Sequence, residues 1–187
     1  REDALQESLR LLSDGANVNA FPYWLIDYET FEQSWTALKD SNATYAVVWT
    51  SQYLAELPEN ITLANLPIPD DEPFTLADGW VLAFPQTSSE QLARYQLLAQ
   101  HLLDTDFQSS WTEAAGLLPV NEAILLGWKN TAVSGILLEI GRSARSLPLN
   151  YVINEVGQLF EQATIEMIRK QTSYIESSNK ILKALSE

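Results

Sequence analysis

The chain has 187 residues, 46% of them hydrophobic, enough to bury a sizeable core at the size of one ordinary domain. Its 25 acidic side chains outnumber 11 basic ones and leave a formal net charge of -14, so a polyanionic nucleic acid is repelled. No cysteine is present, which excludes disulfides, thiolate catalysis and cysteine-based metal sites together, and no apolar run approaches the roughly 20 residues that span a bilayer as a helix.

The first helix is predicted over Glu2–Leu12, where Leu5, Leu9 and Leu12 share a face and Gly15 lies beyond the end. Residues 17–24 read as a loop. A second helix starts at Asp27 as N-cap and carries Tyr28, Phe31, Trp35 and Leu38 at helical spacing, a face suited to docking on a sheet. Thr44–Trp49 is rich in β-branched and aromatic residues and reads as a buried strand; Ile61–Leu66, closed by Pro67 and Pro69, reads as a second. Asp70-Asp71-Glu72-Pro73 is an acidic turn without the alternating oxygen ligands and placed glycine of a calcium loop, and no metal site is assigned.

Val81–Phe84 is a third predicted strand. Thr87 to Gln91 offer a capping box for a helix over residues 88–103 with Leu92, Tyr95, Ala99 and Leu102 as its apolar stripe. A short helix holding Phe107 and Trp111 ends at Gly116, and Asn121 caps another after Pro119. Residues 130–142 form one more. Leu147-Pro148 opens the longest helix, in which Val152, Val156, Leu159, Phe160, Ala163 and Met167 follow one face, and Ser173 with Glu176 caps a terminal helix that buries Ile181, Leu182 and Leu185. Strands followed by helical patterns define an α/β chain with a small sheet flanked by many helices.

No GxSxG, Walker A or GxGxxG signature is present, and the single histidine, His101, sits within a predicted helix without a partner motif. No catalytic residue and no cofactor are assigned. Two segments carry candidate binding chemistry. In Trp49-Thr50-Ser51-Gln52-Tyr53 a strand ends in an aromatic and runs into hydroxyl and amide side chains, at the strand edge where open α/β sheets hold ligands. The alternative there is that Trp49 is core and Thr50-Ser51 cap a helix begun at Gln52. In Asp78-Gly79-Trp80 the glycine permits close backbone approach, the aspartate accepts hydrogen bonds from hydroxyls, and the indole offers a flat stacking face. The alternative is an ordinary turn before the strand at Val81.

The order Pro67-Ile68-Pro69, Thr75 to Pro85 through Gly79-Trp80, an amphipathic segment to Leu103, then Trp111 followed by Gly116-Leu117-Leu118-Pro119-Val120 resembles the C-terminal half of the extracellular solute-binding proteins of ABC importers, in the maltose-binding-like group. The likeness extends from Ala4-Leu5 to Leu185, although Asn42-Ala43-Thr44 stands where the family has a glycine before the strand. The resemblance implies the C-terminal part of a type II periplasmic-binding-protein fold, present here as a single α/β unit cut from a longer precursor. It implies capture of a sugar or oligosaccharide in a cleft between two lobes, delivery to ABC permease subunits, and no enzymatic activity. It places Gly79 and Trp80 at the cleft, gives Tyr151 a ligand contact and Trp111 a packing role, and sets the protein in the periplasm or on the cell surface, lipid-anchored through a preceding segment. Its rivals are a helical module that binds another protein and a carbohydrate-active enzyme using two carboxylates.

Overall fold

The computed structural model describes residues 2–66, 74–128 and 133–186, with the side chain of Glu2 omitted. Its elements in chain order are α1 (Glu2–Asn17), a 3-10 turn (Tyr23–Asp27), α2 (Phe31–Lys39), α3 (Thr50–Glu56), β1 (Thr75–Ala77), α4 (Ser89–Leu102), α5 (Thr105–Ala115), α6 (Glu122–Leu126), α7 (Ser134–Arg142), β2 (Ala144–Ser146), α8 (Asn150–Ile168) and α9 (Tyr174–Ala184). The chain is therefore helix-rich with a small parallel sheet, and it divides into two compact units: residues 1–30 with 148–187, and residues 31–147.

In the unit formed by both chain ends, α1, α8 and α9 bury Leu9, Ala163, Met167 and Ile181, with Leu5, Leu12, Leu159, Phe160 and Tyr174 packed around them. These positions recur at helical spacing, which is why the apolar faces meet. α1 runs through Gly15 to Asn17 rather than stopping at Leu12, because a bare Cα lets the Phe21 ring fold back on the helix; a Cβ there would fall 2.5 Å from that ring. The capping box of α9 forms as its sequence requires: Ser173 Oγ accepts from the Glu176 N–H at 3.3 Å, and Glu176 Oε2 accepts from the Ser173 N–H at 3.1 Å. Ser177 and Ser178, 1% and 0% exposed, carry hydroxyls without hydrogen-bond partners among the described residues. Ser178→Ala is expected to raise the melting temperature, since it removes a desolvation cost of about 1 kcal/mol at little change in volume. A thermal melt checks it.

In the unit of residues 31–147, Leu125, Trp128, Leu137 and Ile140 form the core, joined by Leu54, Leu63, Leu118 and Val133. α2 packs on α3 rather than on a sheet: the buried Trp35 and Tyr53 rings meet edge-on at 6.4 Å. Trp35 Nε1 donates to Glu56 Oε1 at 2.9 Å, and Lys39 Nζ donates to both Glu56 oxygens, at 3.0 and 2.9 Å. These bonds, Lys39 first and Trp35 second, hold the Glu56 carboxyl below its usual range. A depressed folded-state pKa stabilises above the unfolded value and loses that contribution as pH falls through the folded one. The stability advantage of the native chain over Glu56→Gln is therefore expected at neutral pH and should fade below about pH 4, as melts across pH will show.

β1 and β2 pair in parallel, Thr75 to Ala144, Leu76 to Arg145 and Ala77 to Ser146. The Thr75 N–H donates to the Ser143 carbonyl at 3.1 Å and the Leu147 N–H to the Ala77 carbonyl at 3.0 Å. Ser143 Oγ lies 3.1 Å from Thr75 Oγ1 and 3.0 Å from the Ile140 carbonyl, linking the end of α7 to the start of β1.

The three predicted strands are corrected. Among the described residues, 44–49, 61–65 and 81–84 form no strand, and Leu66 makes a single antiparallel bridge to Phe74. Strand-forming composition sets a backbone conformation, but a strand exists only where a second one supplies hydrogen bonds. Asp27 is not an N-cap; it ends the 3-10 turn, and α2 begins at Phe31. The α4 stripe is the inner face of its helix, with Tyr95, Ala99 and Leu102 half-buried and Leu92 at 37% exposure, although α4 has no fully buried residue. Leu185 is 50% exposed rather than buried. Pro67-Ile68-Pro69 and the turn Asp70-Asp71-Glu72-Pro73 lie outside the described residues.

Candidate functional site

Trp49 is the N-cap of α3, with an extended backbone that turns the chain into the helix. Its N–H donates to Gln52 Oε1 at 3.3 Å, so the glutamine three positions on closes the first turn. Its ring stands edge-on to Phe31 at 5.5 Å and is 37% exposed, partly held and partly open. Thr50 and Ser51 are the first two helical residues rather than caps, and both are half-buried. Tyr53 faces inward at 5% exposure against Trp35, where it supports the segment from behind.

The C-terminal end of α5 positions this segment. Gly116 takes the left-handed conformation, φ +65, that closes the helix, and a Cβ there would lie 3.4 Å from the Ser51 carbonyl oxygen and 3.5 Å from Leu54 Cβ. Glycine is favoured here by its left-handed φ, while the space around it would admit a Cβ at ordinary contact distance.

Asp78-Gly79-Trp80 leaves the C-terminal end of β1. Asp78 Oδ1 accepts from the Gly79 N–H at 2.8 Å. A Cβ on Gly79 would meet nothing within 4 Å, so the glycine is open to solvent rather than pressed on the chain's own atoms. Trp80 is 91% exposed, and the apolar run continues in the open with Val81 at 88%. Because β1 and β2 are parallel, this loop and Leu147 leave the same edge of the sheet.

The segments 49–53 and 78–80 share one compact unit, but among the described residues no hydrogen bond or ring contact joins them. Tyr151 lies in the first turn of α8, in the other unit, and is 62% exposed. Trp111 is corrected: it is 45% exposed and stacks on Phe107 at 6.4 Å, a surface pair on α5 rather than core. Trp128, unassigned by sequence, is 4% exposed and belongs to the core. His101 meets the Phe107 ring at 5.0 Å. Among the described residues no group of His, Cys, Asp and Glu is arranged to hold a metal. The supporting roles of Gln52 and Phe31 escaped the sequence reading; the signal for Gln52 was its place three residues after a strand-like end.

An open ring face beside a carboxylate and a bare glycine offers stacking and hydrogen-bonding groups at the end of β1. The chain matches the family model described as bacterial extracellular solute-binding protein over residues 2–133, and it belongs to that family. No curated protein and no solved structure gives a significant match. The match takes in Trp49–Tyr53 and Asp78–Trp80 and ends before α7, so Tyr151 and the two helices α8 and α9 lie beyond it. Membership carries the role of solute capture for transport outside the cytoplasm, in a family whose members in general bind rather than convert.

Proposed function

We propose that this chain captures a sugar or oligosaccharide for an ABC importer, using the loop after β1 as one wall of a cleft whose other wall is a second lobe of the same protein. The observation that carries the reading is the 91% exposure of Trp80 at the C-terminal end of a parallel strand. Trp49, Thr50, Ser51, Asp78 and Gly79 would add ring and hydrogen-bonding contacts, with Tyr53 behind them; Tyr151 is proposed as a ligand contact from its own unit. Binding closes the hinge, and the permease receives the closed form at the membrane surface, where a lipid anchor on a preceding segment keeps it.

A ligand held by one wall gains half the contacts while losing all its freedom, so this chain alone should bind sugars weakly. Calorimetry of a panel of mono- and oligosaccharides, run on this chain and on a longer form with both lobes, tests the proposal. Weak binding here and micromolar binding there is expected. Equal affinity refutes the half-site, and no binding by either form refutes sugar capture. A second reading, a protein-binding module, has one observation in its favour: α4 buries none of its residues and leaves Leu97 and Leu98 at 66% and 57% exposure. A solute-independent complex with a permease domain, lost on Leu97→Gln and Leu98→Gln, would support it.

A further inference from the structure

The candidate residues of the 31–147 unit share an unusual charge environment. No Lys, Arg or His stands between Lys39 and Arg94, whereas Asp40, Glu56, Glu59, Asp78 and Glu90 all fall there. Both flanking cations are engaged: Lys39 with Glu56 at 2.9 Å and Arg94 with Glu90 at 2.7 Å. Across the strand pair, Arg145 stands opposite Leu76, but its guanidinium lies over the Phe74 ring at 5.5 Å, before the start of β1 and away from the loop at its end.

An anionic solute at that loop would meet the Asp78 carboxylate and lose its water, with no cation recorded at Asp78 or Trp80 among the described residues to offset the loss. A cation gains twice. The Trp80 ring, 91% exposed, presents a face that attracts positive charge, and the Asp78 carboxylate next to it can accept a charge-assisted hydrogen bond. Asp78 Oδ1 is already bonded to the Gly79 N–H at 2.8 Å, which steadies the carboxylate and leaves Oδ2 for a ligand.

Resting on the solute-capture reading above, we propose that the solute carries a positive charge: an organic ammonium held between the Trp80 ring face and the Asp78 carboxylate, an amino sugar being the form that sugar capture allows. Glycine at position 79 lets the ligand approach the backbone between these two groups. Neutral sugars bind through stacking alone, and sugar acids are turned away.

Titration of glucosamine, glucose and glucuronate into the chain at low ionic strength, followed by tryptophan fluorescence, tests this. Glucosamine is expected to bind roughly tenfold more tightly than glucose, with glucuronate weakest. The preference should collapse in Asp78→Asn and in Trp80→Leu, both at exposed positions where the fold is unaffected, and shrink in about 0.5 M salt. Equal binding of glucose and glucosamine overturns the charge inference and leaves sugar capture standing, as does a preference that survives Asp78→Asn. Tighter binding of glucuronate overturns it as well. If none of the three binds, the amine inference falls; sugar capture falls only if the two-form calorimetry above also finds no ligand.

Discussion

Under the proposed function, Trp80→Ala in a two-lobed form is expected to remove most of the ligand affinity while leaving the melting temperature almost unchanged. The indole is 91% exposed, so truncating it opens no cavity, and a surface change of this kind costs within about 0.5 kcal/mol of stability. Loss of a stacking platform at a binding hot spot costs on the order of 2 kcal/mol, about a thirtyfold weaker complex. A melt and a titration on the one variant decide the matter. A large fall in melting temperature with unchanged affinity would make Trp80 a packing residue and remove the centre of the proposed site.

Leu137→Ala should do the reverse. Leu137 is 0% exposed and packs with Leu125, Trp128 and Ile140, and its truncation leaves a cavity that costs about 2–5 kcal/mol. The damage should also reach the sheet, because α7 leads straight into Ser143, which is bonded to Thr75. Hydrogen exchange at the Thr75 and Leu147 amides, both bonded across the strand pair, is expected to accelerate in this variant. Unchanged melting and exchange would show that the cluster does not carry the unit.

The helices were legible because their signals are local. Asn121 accepts from the Ala123 N–H, Ser173 and Glu176 form their box, and Gly116 ends α5 in the left-handed conformation, each where residue type and spacing require it. The strands were not, because pairing is decided by residues far apart. Thr44–Trp49 has the composition of a strand and finds no strand partner among the described residues, whereas Ala144-Arg145-Ser146 has almost none of it and pairs with Thr75-Leu76-Ala77. α1 outran its prediction for a related reason: the partner of Gly15 is the Phe21 ring, a contact that no helical propensity encodes. Of the candidate site, the chemistry of Asp78-Gly79-Trp80 could be read from residue types alone. That Tyr53 faces inward while Trp49 stays partly open could not, since it depends on how α2 lies against α3.

Ser143 and Thr75, which touch across the start of the sheet, are 68 residues apart in the chain. During synthesis the ribosome delivers Trp49, Asp78 and Trp80 first, and the strand that fixes the end of β1 emerges only after α4 to α7 have been made. Contacts of such long range close late, because the intervening loop entropy must be overcome before they form. The stretch matched by the family ends at residue 133, short of β2. A nascent chain, or a truncated one stopping there, would carry the loop Asp78–Trp80 without the strand that pairs with β1. Maturation of this loop is thus coupled to completion of a segment that takes no part in the loop itself.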